Sequence, residues 1–237
     1  MQREIDILAI GAHADDVEIG MGGTIAKFAS AGKRIVICDL TQAEMSSNGT
    51  IHTRMDEAKN AGEVLGILHR INAYLPDRGL FLKEEYISRV ASIIRLYRPK
   101  LVFVPYEIDR HPDHGNCAKL VEEACFSAGV RKYVDEQDQP PHRVENMYYY
   151  MINGFHKPDF AVDVTEFIEA KTDGLKAYKS QFEKTESSFQ TPLVDDYIES
   201  IISRDKMIGK EVGVRYAEGF FSKKPLLLSQ DLLGGKA

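Results

Sequence analysis

Apolar positions along the chain fall into strand-length runs that alternate with stretches of helical period. Ile5–Ile10 is an apolar run of strand length, and Gly22–Ala31 fits a helix closed by Gly32. Arg34–Leu40 is the next strand, Arg54–Leu65 the next helix, and a short strand follows near Ile71–Leu75. Glu84–Tyr97 sets Ile87, Val90, Ala91, Ile94 and Tyr97 on one stripe, an amphipathic helix that Pro99 stops. Leu101–Pro105 (LVFVP) is a compact β-rich run. Asp135–His142 is polar and holds a Pro-Pro pair, so it reads as a surface loop. Beyond it, Met147–Met151 and Phe160–Val164 read as strands, and Glu166–Phe182 and Asp195–Met207 as helices.

This alternation implies an α/β fold with a mostly parallel sheet and helices on both faces. In such sheets ligands collect outside the carboxyl ends of the strands. No flexible linker interrupts residues 1–237, which are expected to form a single domain: a core to about 165 and a C-terminal extension from about 166. Hydrophobic residues at 43% and charged residues at 28% suit a soluble globular protein. The net charge of −6 argues against a nucleic-acid partner. The absence of an apolar run near eighteen residues argues against a membrane span. MQREIDILAI is too short and interrupted for a signal peptide, and an odd, sparse cysteine count without a disulfide framework suggests a cytoplasmic location. The three cysteines, Cys38, Cys117 and Cys125, lack CxxC spacing and read as buried, inert thiols.

Two polar clusters interrupt the pattern, each directly after a strand. GAHADDVEIG supplies His13, Asp15 and Asp16, and DRHPDHG supplies His111, Asp113 and His114. Three of the seven histidines thus sit in two loops that a parallel sheet can bring to one rim. Imidazole and carboxylate without cysteine suit zinc or ferrous iron rather than calcium or magnesium. A catalytic zinc keeps three protein ligands and leaves a position for water. Adjacent aspartates cannot easily serve one metal equally; in one division of labour, one binds the metal and its neighbour acts as general base. The GGTIAK stretch lacks phosphate-loop spacing, and its glycines read as permitting close helix–sheet packing.

HADD with HPDH resembles the paired signature of the LmbE-like (PIG-L) zinc-dependent N-acetylglucosaminide deacetylases. The stretches LPDRGL, YYYMINGFHKPDF and GKEVGVRYAEGFFSKKPLL extend the similarity toward the branch that makes bacillithiol by deacetylating N-acetylglucosaminyl malate. The resemblance implies a Rossmann-like fold and zinc on His13, Asp16 and His114. It also implies Asp15 as general base toward the metal's water, and His111 as acid or electrostatic stabiliser oriented by Asp113. Ferrous iron suits the same ligands. Ala14 departs from the family's usual proline, which implies a slightly less rigid loop.

On the substrate side, an N-acetylated amino sugar, the family places a substrate-contacting arginine at Arg54. Arg110 is a second candidate for a malate carboxylate, since guanidinium binds carboxylates bidentately. Tyr197 resembles a tyrosine that reaches the site from the C-terminal region. Related enzymes form closed homo-oligomers, often hexamers. Deacetylation of other N-acetylglucosaminides, including chitin fragments, and non-catalytic sugar binding are the competing readings.

Overall fold

The apolar run after Glu4 becomes β1 (Ile7–Gly11), an interior strand of a seven-stranded sheet in a computed structural model that describes residues 4–186 and 188–227. β2 (Ile35–Asp39), β3 (His69–Asn72), β4 (Leu101–Pro105) and β5 (Asn146–Tyr150) run parallel with β1 in the order β3-β2-β1-β4-β5. β6 (Phe160–Asp163) forms the far edge, and β7 (Ala217–Phe221) inserts between β5 and β6, antiparallel to both. The helices are α1 (Asp16–Ser30), α2 (Ile51–Leu65), α3 (Glu84–Tyr97), α4 (Pro112–Gly129), α5 (Ile168–Lys176), α6 (Lys179–Phe182) and α7 (Tyr197–Val212).

Successive strand residues face opposite sides, so each strand serves two cores. Leu8, Ile10, Val36, Cys38, Val102 and Val104 pack with Val90 and Ile94 of α3 and Leu120 and Val121 of α4. Ile7, Ala9, Ile35, Ile37 and Phe103 pack with Val17 and Ile25 of α1, Leu175 of α5 and Ile201 of α7. Burial on both faces is why these strands read as unbroken apolar runs rather than as alternation. The α/β architecture and mostly parallel sheet expected from the sequence are present. No helix among the described residues is long and apolar enough to cross a membrane.

Several element assignments shift. The strand expected at Ile71–Leu75 lies at His69–Asn72, because Leu75 leaves the ladder and enters the core from the following loop. The helix expected over Glu166–Phe182 is a short 3₁₀ turn, α5 and α6, broken where buried Tyr178 turns its hydroxyl to Glu18 Oε1 at 3.0 Å. The helix expected over Asp195–Met207 runs later, Tyr197–Val212.

The helix expected to start at Gly22 begins six residues earlier, at Asp16, but Met21 departs from helical geometry at φ −150°, ψ 24°. Gly22 therefore opens a second half-helix. Close helix–strand packing falls just ahead of the GGTIAK stretch, where a Cβ on Gly20 would lie 2.1 Å from Tyr150 Cδ2 of β5. A Cβ on Gly23 would lie 2.9 Å from Val164 Cβ. Cys38 and Cys117 are buried and Cys125 half-buried, all free; burial pushes the Cys125 thiol up to about 12.

Candidate metal centre and substrate pocket

Both polar loops leave the carboxyl ends of neighbouring strands, β1 and β4, so parallel pairing brings them to one rim. The first is a tight turn in which His13 N–H donates to Asp16 Oδ2 at 2.9 Å. Asp15 takes positive φ (103°) there and caps α1 by position, without a side-chain cap hydrogen bond. In the second loop Pro112 opens α4 and His111 caps it, its Nδ1 accepting from the Asp113 N–H at 3.3 Å. That bond leaves the His111 proton on Nε2.

Asp16 is the junction. Its Oδ2 lies 3.7 Å from His13 Nδ1 and its Oδ1 lies 3.2 Å from His114 Nε2. The opposite ring nitrogens face other carboxylates. His13 Nε2 lies 3.1 Å from Asp77 Oδ1 and 3.5 Å from Asp113 Oδ2. His114 Nδ1 lies 2.9 Å from Asp109 Oδ1, an ion-pair contact. Carboxylates behind two imidazoles that converge on a third group form the outer shell typical of metal-ligating histidines.

Among the described residues, two sets present donors that all lie within 4.8 Å of one another, and Asp16 is in neither: His13, His111 and His114, and His13, Asp77 and Asp113. The second uses the outward face of His13. The first leaves out Asp16, which touches both His13 and His114 and carries the charge a cation requires. The electrostatics fit a cation. Burial alone would keep His13 and His114 neutral, yet the surrounding carboxylates hold both above the ordinary imidazole value, His114 at about 9. The cluster thus draws positive charge to the place where a divalent ion would sit, and metal binding would displace those protons.

Asp15 differs from its neighbour. Burial pushes its carboxyl up to about 7, against the opposing pull of the Arg54 guanidinium. Burial likewise pushes Asp16 up, but His114 and His13 hold it well below the usual carboxylate range. His111 is pulled below its ordinary value by burial, then by His13 and His114, so it stands neutral with an Nε2–H to donate.

A cavity of about 340 Å³ opens over the cluster, lined among others by His13, Asp15, Asp16, His111 and His114. All three substrate-side candidates line it. Arg54 is buried, however, and already committed: Nη2 donates to the Ala14 carbonyl and to Asp15 Oδ2 at 3.1 Å, and Nη1 to Ser46 Oγ at 3.0 Å. Arg110 Nε and the Tyr197 hydroxyl both donate to Asn153 Oδ1, at 3.1 and 3.0 Å.

Asp113 meets His111 through its backbone N–H, while its carboxylate accepts from the Arg78 N–H at 2.9 Å and faces His13. Sequence reasoning passed over Asp77, Asp109 and Asn153, although each lies in a stretch quoted for the resemblance. Their signal was position alone, an acid or amide in a loop after a strand. At Ala14, packing stands in for a proline ring: the side chain is buried with Ala58, Ala61 and Tyr178, and the carbonyl is held by Arg54.

The model of the GlcNAc-PI de-N-acetylase (PIG-L) family matches residues 8–125, a span that holds both loops. The chain is also 30% identical over 229 residues to diacetylchitobiose deacetylase of Thermococcus kodakarensis, covering 90% of this chain and 81% of the relative. The chain belongs to the PIG-L family. Among solved structures, the conserved protein TT1542 from Thermus thermophilus superposes with a TM-score of 0.88 at 35% identity, covering 98% of this chain and 100% of that one. The N,N'-diacetylchitobiose deacetylase of Pyrococcus horikoshii, complexed with an inhibitor, gives 0.78 at 25% identity over 91% and 82% of the two chains.

Proposed function

We propose that the protein is a metal-dependent hydrolase that removes the N-acetyl group from an N-acetylglucosaminide, with N-acetylglucosaminyl malate as its substrate. The observation that carries the reaction class is the unequal pair in HADD: Asp16 bonded into the histidine cluster, and Asp15 beside it, raised to about 7 and held by Arg54. Kinship with deacetylases of acetylated amino sugars supports the substrate class, and the stretches resembling the bacillithiol branch support malate as aglycone.

His13, Asp16 and His114 would hold the cation, zinc or ferrous iron by the donor set. When bound, it would supply Lewis-acid polarisation of the acyl oxygen and acidify water. Asp15 is the base that takes the proton from the attacking water. A carboxyl near 7 can accept that proton and return it to the departing amine, help worth about 10²–10⁴-fold. Arg54 fixes Asp15 through Oδ2 and the turn through the Ala14 carbonyl. Neutral His111 donates Nε2–H to the acyl oxygen as it gains charge, which favours a stabilising role over that of an imidazolium acid. Asn153, Tyr197 and Arg110 form the wall that meets sugar hydroxyls and aglycone.

Acetate release from N-acetylglucosaminyl malate, its inositol counterpart, diacetylchitobiose and free N-acetylglucosamine tests the proposal. The malate form is expected to have the highest kcat/KM. Equal turnover of all four would leave a broad deacetylase. Sugar binding without acetate release would leave a binding module.

A further inference from the structure

The half-helix that carries Asp16 ends at a break, and the C-terminal third of the chain takes up what the break releases. In an unbroken helix Gly23 N–H would bond the Ile19 carbonyl. Here Gly23 N–H donates to Glu218 Oε1 at 2.9 Å and Thr24 N–H to Glu218 Oε2 at 2.7 Å. The Ile19 carbonyl accepts instead from Arg204 Nη2 at 3.0 Å. The two ends of one helix bond are therefore held by two different side chains, on β7 and α7. Those side chains are themselves joined. Lys171 Nζ donates to Glu218 Oε1 at 2.7 Å and to Asp205 Oδ2 at 2.6 Å, and Asp205 Oδ1 lies 3.6 Å from Arg204 Nε. All four are buried.

The second arm of Arg204 reaches the opposite wall of the pocket. Its Nη1 donates to the Ile152 carbonyl at 2.7 Å. The next residue, Asn153, donates from its backbone N–H and its Nδ2 to Asp109, at 3.0 and 2.9 Å, and Asp109 stands behind His114. One planar guanidinium thus grips both the half-helix that begins at Asp16 and the turn that sets Asp109 against His114. A lysine has no second terminal nitrogen, so it cannot reproduce this planar fork, in which Nη1 and Nη2 each serve one carbonyl.

From this geometry we infer that Arg204 is a positioning residue for the metal-ligating set: it holds α1 open at Met21 and fixes the Asp16 half-helix to the Asn153 turn. The inference rests on the proposed assignment of His13, Asp16 and His114 as ligands. It concerns the site before any substrate arrives, so metal affinity reads it directly.

The test is titration of the metal-free protein with cobalt(II), following visible absorption and competition with a chelator, in wild type, Arg204→Lys and Arg204→Ala. Thermal unfolding of the metal-free forms is recorded alongside. The expected result is a cobalt Kd raised about tenfold or more in both variants, the scale seen when partners behind metal ligands are removed, with an altered absorption band. A Kd within twofold of wild type and an unchanged band, whatever the loss in Tm, would overturn the role. If Arg204→Ala does not fold, Arg204→Lys decides by the same criterion. A wild-type protein that takes up no cobalt overturns the ligand assignment and the role of Arg204 together. One that takes up cobalt yet releases no acetate overturns only the proposed reaction, and the variant-to-wild-type ratio still decides for Arg204.

Discussion

Asp109→Asn exchanges one oxygen for an NH₂ in the most heavily used carboxylate behind the cluster. Asp109 Oδ1 accepts from the His111 N–H at 2.8 Å and from Asn153 Nδ2 at 2.9 Å, and lies 2.9 Å from His114 Nδ1; Oδ2 accepts from the Asn153 N–H at 3.0 Å. An asparagine keeps one acceptor, so at least one donor meets another donor whichever way the amide turns. An unsatisfied buried donor costs about 1–3 kcal/mol, which at roughly 2–4 °C per kcal/mol for a chain of this size lowers Tm by about 2–12 °C. The separate loss of negative charge behind His114 is expected to weaken metal affinity about 10–100-fold, or roughly 1.4–2.7 kcal/mol. Chelator competition measures the affinity, and acetate release at saturating metal then shows how much kcat survives. A Kd within twofold of wild type would refute the argument that Asp109 serves the metal through His114, even if Tm fell as expected.

The prediction for Arg54 departs from the one the family resemblance suggested. Because both terminal nitrogens of its guanidinium are engaged, with Ala14, Asp15 and Ser46, Arg54→Ala is expected to lower kcat alike for malate-bearing and plain sugars. A charged hydrogen bond worth about 1.5–3 kcal/mol translates into roughly a 10- to 150-fold loss; a raised KM confined to the malate form would restore the substrate-carboxylate role. Gly20→Ala drives a methyl against the ring of fully buried Tyr150, an overpacking that costs about 1–3 kcal/mol and shows as a lower Tm; an unchanged Tm would mean that α1 can shift. Far from the site, burial would raise the Asp135 carboxyl, but Ser92, Gln139 and Arg95 hold it below its ordinary value. Its contribution is therefore present above the unfolded carboxyl pKa near 3.9 and is lost as pH falls through the lower folded value. Guanidinium midpoints at pH 3 and 5 are expected to differ less in Asp135→Asn than in wild type, and equal differences would refute the assignment.

How much of this was legible in the sequence depended on the range of the interactions. Strand runs such as Ile7–Gly11 and LVFVP could be read because burial on both faces demands apolar residues throughout. HADD and HPDH could be read because their chemistry is crowded into a few residues. The edge strand β3 was misplaced because His69, Arg70 and Asn72 are polar: Arg70 pairs with Asp39 of β2 and Glu18 of α1, and no local pattern announces that. The break at Met21 was half legible. Gly22 reads as a helix start, but the carboxylate that holds the break open arrives from Glu218, 195 residues along the chain from Gly23. Asp77, Asp109 and Asn153 look like ordinary loop residues until the fold sets them behind the histidines.

The central claim is that two neighbouring aspartates do different work, Asp16 holding the metal and Asp15 moving the proton. Measuring bound metal and acetate release from N-acetylglucosaminyl malate in Asp15→Asn and wild type, side by side, tests it most directly. The account predicts that Asp15→Asn keeps its metal while kcat falls about 10²–10⁴-fold. Near-normal turnover with metal bound, or loss of the metal itself, would contradict it.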